Sequence, residues 1–179
     1  MKIYSDLQNL LGKRTVQAAL TREEAEALIK AVRQVPQNGT VVQIGAWKGV
    51  STSVLLAIRP DIYLYSVDIK RSKEEFDTVG KLLGKKALKR LERVLGDSGK
   101  MDWDGQCDMI YIDGDHREPG VRADCKAWIP KVKDGGLVTF HDYIPLRPPP
   151  KNQVAVVVDE YCKDMKLFCK GGRVIGFVK

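Results

Sequence analysis

Five short apolar runs alternate with helical patterns along this chain, and each run stops at glycine and polar residues. The runs are TVVQIG, IYLYSV, RVLG, CDMIYI and LVTF. Apolar runs of this length, bounded by turn residues, read as strands buried on both faces. Strands that alternate with helices specify a parallel sheet with crossover helices. The segment TREEAEALIKAVRQVPQNG opens on a capping box, Thr21 with Glu24. Its apolar residues Ala25, Leu28, Ile29, Val32 and Val35 have helical spacing, ending near Pro36. VSTSVLLAI predicts a helix before Pro60, and Ser72 with Glu75 forms a second capping box opening a helix to Leu88. A further helix is expected from Pro119 to Val132, and another from Gln153 to Cys162 after the proline-rich loop IPLRPPP. The tail MKLFCKGGRVIGFVK reads as a β-hairpin joined through Gly171 and Gly172.

At 179 residues with 44% hydrophobic content, the chain is expected to form one domain. Residues 1–37 would be an N-terminal helical segment and 38–179 the core. No stretch approaches the roughly 20 apolar residues of a membrane span, and MKIYSDLQNL lacks the apolar centre of a signal peptide. A cytoplasmic location is expected. Cys107, Cys125, Cys162 and Cys169 form no CxxC pair, and three of them sit in apolar stretches where a reduced, buried thiol is ordinary. The net charge of +7 is spread along the chain, with small clusters at Lys85 to Arg90 and Lys131 to Lys133. Solvated helix faces account for these, and the absence of an aromatic-basic module disfavours a nucleic-acid partner.

In an open parallel sheet, ligands bind beyond the carboxyl ends of the strands. The five ends here are Gly45-Ala46-Trp47-Lys48-Gly49, Asp68, Gly96-Asp97-Ser98, Asp113-Gly114-Asp115-His116 and His141-Asp142. Acidic residues at four successive ends suggest a ligand with hydroxyl or cationic groups, or a metal. Asp68 stands about 20 residues beyond the glycine turn, where a carboxylate reaches ribose hydroxyls in nucleotide folds; capping of its own loop is the alternative. A dinucleotide is disfavoured, because the pyrophosphate fingerprint needs glycine where this chain has Trp47 and Val50. A nucleoside ligand without a pyrophosphate, such as S-adenosylmethionine, removes that demand.

The segments VVQIGAWKGVSTSVLLAI, SVDI, GDS and DMIYIDGDHREPGVRADCKAWIPKVKDGGLVTFHDY resemble the class I S-adenosylmethionine-dependent methyltransferases. They are most similar to the small catechol-type and sugar O-methyltransferase domains. The resemblance implies a Rossmann-like three-layer αβα sandwich with a mostly parallel seven-stranded sheet and a C-terminal antiparallel hairpin. It also implies methyl transfer to a small-molecule acceptor, at oxygen, with nitrogen as the second choice. The expected cofactor contacts are Gln43, Gly45, Ala46, Trp47, Gly49 and Ser51 around the turn, and Asp68 and Ile69 at the ribose. Asp97 and Ser98 would flank the adenine, and Asp113 would face the methyl group. Many relatives carry an acid where this chain has Gln43, so the methionine amino group would lose charge assistance. A cofactor-binding domain without catalysis and an NAD-dependent oxidoreductase are the competing readings.

Methyl transfer to a hydroxyl needs the acceptor proton removed or its pKa lowered. In metal-dependent relatives the ligands follow the fourth and fifth strands, and the matching residues are Asp113, His141 and Asp142. Carboxylates suit magnesium, whereas a histidine shifts the preference toward manganese, iron or zinc. His116 or His141 could instead be a metal-free general base, or both could serve only loop structure, with Asp115 capping the next helix. Pro148 to Pro150 could wall the acceptor pocket or merely hold the chain extended. Trp128 fits the core by its helical spacing, and Trp103 is open to either role. The first 20 residues, with Leu7, Leu10 and Leu11, offer a lid or a homodimer contact.

Overall fold

The computed structural model describes residues 2–70, 73–148, 150 and 152–179. Two helices, α1 (Lys2–Leu11) and α2 (Lys13–Ala19), precede α3 (Arg22–Val32). There follow β1 (Thr40–Ile44), α4 (Val50–Ile58), β2 (Tyr63–Asp68), α5 (Lys73–Leu83), α6 (Lys85–Leu88) and β3 (Leu91–Leu95). The second half holds β4 (Cys107–Ile112), α7 (Glu118–Trp128), β5 (Val132–Phe140), α8 (Gln153–Tyr161), β6 (Lys166–Gly171) and β7 (Val174–Val178). Short 3₁₀ turns span Ser98–Lys100 and Ile129–Lys131.

The seven strands form one sheet in the order β3-β2-β1-β4-β5-β7-β6. Strands β1 to β5 run parallel, and β7 joins β5 and β6 antiparallel. Period-two alternation sends Val41, Leu64, Met109 and Leu137 to one face, against α1 through α6. Val42, Val67, Ile110 and Val138 go to the other, against α7 and α8. This is the three-layer sandwich expected from the sequence. Because β4 leaves on the opposite side of β1 from β2, the order reverses at β1, and a crevice opens above the β1 and β4 ends.

The Thr21 capping box is present: the Thr21 hydroxyl accepts from the Glu24 N–H at 3.3 Å, and Glu24 Oε2 accepts from the Thr21 N–H at 2.8 Å. The capping box read from Ser72 lies outside the described residues. The helix expected to run on to Leu88 breaks at Gly84 into α5 and α6. Helix α7 stops at Trp128, ahead of Pro130, rather than continuing to Val132. Strand β5 begins five residues earlier than LVTF, because Val132 pairs with Cys107 before an irregularity in the register. The hairpin turns at Gly172-Arg173, one residue later than expected, with Gly171 still paired to Val174. That slip matters, since it lifts Arg173 out of the strand and over the crevice. Leu7 is fully buried against the sheet-covering helices, so α1 is part of the core. No helix among the described residues is long and apolar enough to cross a membrane.

Candidate active site

A cavity of roughly 1200 Å³ opens above the carboxyl ends of the strands. Its near end is the turn after β1. Gly45 has φ +82°, and a Cβ there would overlap the Asp113 carbonyl at the end of β4. Gly49 has φ +76°, and a Cβ there would come 2.9 Å from the Glu75 backbone. Only glycine lets the turn pass between β4 and α5. Trp47 also adopts positive φ, at +43°, with its side chain half exposed at the cavity.

The Asp68 carboxylate ties this turn to the end of β2. Its Oδ2 accepts from the N–H groups of Ala46 (2.9 Å) and Trp47 (3.4 Å), and Oδ1 accepts from the Lys70 N–H (2.9 Å). Asp68, Ile69, Ala46 and Ser51 all line the cavity. Gln43, expected from sequence as a further cofactor contact, does not line it. It is fully buried beneath the turn, on the α4 side of the sheet, where Nε2 donates to the Gly45 carbonyl (2.9 Å) and to Thr52 Oγ1 (3.2 Å). The Thr52 and Ser66 hydroxyls donate in turn to Glu75 Oε1 at 3.0 and 2.6 Å. Burial pushes the Glu75 carboxyl up, with the two hydroxyls opposing. Glu75, read from sequence only as a helix cap, thus braces the turn from below.

At the far end, Ser98 begins a 3₁₀ turn capped by Asp97, which accepts from the Gly99 N–H at 3.1 Å and pairs with Lys100 at 2.9 Å. The Ser98 hydroxyl points to Asp124 of α7, and the Trp128 indole donates to the Ser98 carbonyl at 2.9 Å. Trp128 is a core residue, and Trp103 stacks between Tyr65 and Trp128 at 5.6 and 5.5 Å. Among the described residues, neither Trp103 nor Pro148 and Pro150 line the cavity, whereas Ala18 and Ala19 of α2 do; Pro149 lies outside the described residues.

Between these ends stands a cluster of carboxylates and imidazoles. His141 Nδ1 lies 3.2 Å from Asp113 Oδ1 and 3.3 Å from Asp142 Oδ2, and its Nε2 lies 3.3 Å from Glu24 Oε2. His116 bridges the same pair from the outside, 3.1 Å from Asp142 Oδ2 and 3.4 Å from Asp113 Oδ1. Arg173 closes the ring, with Nε 2.7 Å from Glu24 Oε1 and Nη1 2.6 Å from Asp142 Oδ1. Burial would lower the His141 pKa, but hydrogen bonds to Asp113, Asp142 and Glu24 outweigh it and push it up to about 11. Burial would likewise raise Glu24, and the bonds from His141 and Arg173 instead hold it well below the usual carboxylate range. The His116 pKa is raised by its bond to Asp113, against partial burial. Asp115 accepts from the Arg117 N–H at 3.0 Å and pairs with its guanidinium, so it folds the loop rather than capping α7.

The donor set of Asp113, His141 and Asp142 suits a divalent cation. One ligand atom from each lies within 4.8 Å of the others. Glu24 holds the second nitrogen of His141, the arrangement that orients a metal-ligating imidazole. Glu24 and Arg173 were missed as site residues in the sequence. The first carried only its capping signal, and the second had no motif at all.

A glycine turn after β1, an acid at the end of β2 and a sheet ordered β3-β2-β1-β4-β5-β7-β6 define the class I S-adenosylmethionine-dependent methyltransferases, and this protein is an enzyme of that class. Residues 42–143 match the family model described as a methyltransferase domain, and the chain belongs to that family. Its structure is similar to that of CalS11, a TDP-rhamnose 3'-O-methyltransferase of calicheamicin biosynthesis, at 14% identity and TM-score 0.66 over 99% of this chain and 93% of that one. An O-methyltransferase from Bacillus cereus, solved with S-adenosylhomocysteine, is similar at 14% identity and TM-score 0.69, over 100% and 91% of the two chains. MycE of mycinamycin biosynthesis, solved with magnesium and S-adenosylhomocysteine, is similar at 19% identity and TM-score 0.67 over 98% of this chain, which spans 54% of MycE. No curated protein sequence matches the chain.

Proposed function

We propose that the protein transfers the methyl group of S-adenosylmethionine to an oxygen of a small-molecule acceptor, with His116 as the proton acceptor. The observation that carries this reading is the position of His116, half exposed on the cavity wall between Asp113 and Asp142. His141 is the poorer base. It is 4% exposed and its ring nitrogens face three carboxylates, whereas His116 faces two and reaches the cavity. The sulfonium is an activated donor, so the protein has to align three atoms and remove one proton. As the acceptor oxygen bonds the methyl carbon, the C–S bond breaks and the hydroxyl proton passes to His116. The products are the methyl ether and S-adenosylhomocysteine.

Asp68 would accept the ribose hydroxyls while keeping the turn amides, since each carboxylate oxygen has a second lone pair. The methionine moiety would lie along Gly45, Ala46 and Ser51. Asp113, His141 and Asp142 are the residues that would hold a divalent cation, manganese being better suited than magnesium to a set containing imidazole. A bound cation would lower the pKa of the acceptor hydroxyl. We place the protein in the cytoplasm as one domain, in keeping with four buried, unpaired cysteines. The sugar acceptor in the name of CalS11 makes glycosides the first acceptors to try.

A screen of hydroxylated acceptors, read by released S-adenosylhomocysteine, tests the reading. His116→Ala should lower kcat by about 100-fold or more on any acceptor found, as expected for a general base. Full activity in that variant would reject His116. Chelation that abolishes turnover, restored by manganese, would assign the proton step to the cation instead. Tight NAD binding without S-adenosylhomocysteine binding would reject the whole assignment.

A further inference from the structure

The far end of the cavity holds a buried acid that the proposed chemistry does not use. Asp124 lies on α7, is 3% exposed and lines the cavity. Its Oδ1 accepts from the Ser98 hydroxyl at 2.5 Å. Its Oδ2 lies 3.3 Å from the position a Cβ would take on Gly114, itself a cavity residue. Among the described residues, no Lys or Arg is paired with it. The carboxylates that act on it, Asp97 and Asp115, each hold a cation of their own: Lys100 on the 3₁₀ turn and Arg117 in the loop before α7. A buried carboxyl without a cation is costly as an anion and inexpensive as an acid.

Resting on the reading that this end of the cavity takes the adenine, we propose that Asp124, rather than Asp97, is the residue that recognises the base, acting as a neutral acid. A carboxylic acid offers one O–H donor and one acceptor side by side. The adenine edge offers the complement, an exocyclic N–H and a ring nitrogen lone pair. The acid would donate its proton to the ring nitrogen and accept from the exocyclic amine, while Oδ1 keeps the Ser98 hydroxyl. Asp97 is poorly placed for this role. Its side chain is 46% exposed and is engaged with Lys100 and the Gly99 N–H. Burial, with Asp97 and Asp115 nearby, pushes the Asp124 carboxyl up to about 6, and Ser98 only partly opposes this. A ligand that needs the proton would raise it further. A 6-oxo purine presents the opposite pattern; matching it would move the acid proton onto Oδ1, the oxygen that accepts from the Ser98 hydroxyl, and a protonated oxygen is a poor acceptor, so it would bind less well.

The test is calorimetric titration of the full chain with S-adenosylhomocysteine and with its 6-oxo counterpart, S-inosylhomocysteine. The wild type should prefer the adenine compound by about tenfold or more, the discrimination expected of a bidentate pair. Asp124→Asn should keep that preference, because a side-chain amide presents the same donor and acceptor to adenine. Asp124→Ala should bring the two affinities within about threefold. Repeating the wild-type titration at pH 7 in buffers of different ionisation enthalpy should show proton uptake with S-adenosylhomocysteine, absent from Asp124→Asn; this arm stands even if Asp124→Ala does not fold. The proposal is overturned if Asp124→Ala weakens both ligands equally, if Asp97→Ala alone erases the preference, or if Asp124→Asn takes up the same proton. Failure of the wild type to bind either compound would overturn the cofactor reading with it.

Discussion

Glu24 and Arg173 are separated by 149 positions in sequence and by 2.7 Å in the structure. Glu24 caps the first turn of α3 and at the same time accepts from Arg173 and faces His141. Removing it would take the acceptor from the buried His141 Nε2 and from the Arg173 Nε, leaving Asp113 and Asp142 as their remaining partners. Glu24→Ala should therefore lower unfolding stability by about 3 to 5 kcal/mol. Chemical denaturation monitored by circular dichroism measures this, and a loss below about 1 kcal/mol would show that the cluster is held by other contacts.

Gly45→Ala sets a methyl group against the Asp113 carbonyl and forces an L-residue to φ +82°. The turn must shift, and the β1 and β4 ends with it. S-Adenosylhomocysteine affinity should fall by at least about 2 kcal/mol, from strain and displacement together. Titration calorimetry would decide, and wild-type affinity in this variant would mean that the turn does not carry the ligand.

Asp68→Ala should weaken S-adenosylhomocysteine by about 1 to 3 kcal/mol, the cost of losing a charged acceptor. Because Asp68 also holds the Ala46 and Trp47 amides, part of that loss is displacement of the turn. Asp68→Asn keeps one acceptor oxygen and should lose less. Equal affinity in all three proteins would put the ribose elsewhere.

Asp124 also predicts a pH dependence of stability. Its folded pKa of about 6 stands above the ordinary 3.8, so the native state binds the proton more tightly than the unfolded chain. The stabilisation is complete below about pH 3.8 and is lost as pH rises through 6. The loss amounts to about 2 to 3 kcal/mol. Asp124→Asn has no proton to lose, so its stability relative to wild type should grow from pH 4 to pH 8. Urea unfolding across that range is the check, and a difference independent of pH would count against a raised pKa.

The sequence by itself determined the layers, the order of helices and strands, and the place where the ligand turn would fall. Apolar periodicity, capping residues and glycine punctuation are local, and local chemistry is enough to set them. It also singled out Asp68, Asp113, His116, His141 and Asp142, because strand ends are readable once the strands are. Tertiary structure alone decided which polar groups meet. Strand register put Gln43 beneath the turn and away from the cavity, where it donates to the Gly45 carbonyl and to Thr52. A one-residue shift of the hairpin turn brought Arg173 over Asp142. The packing of α3 against the hairpin turned a helix cap, Glu24, into the partner of His141. These side-chain pairings join residues 9 to 149 positions apart, those of Glu24 with His141 and Arg173 spanning 117 and 149, and no local pattern encodes them; only the closed sheet brings those side chains within hydrogen-bonding distance.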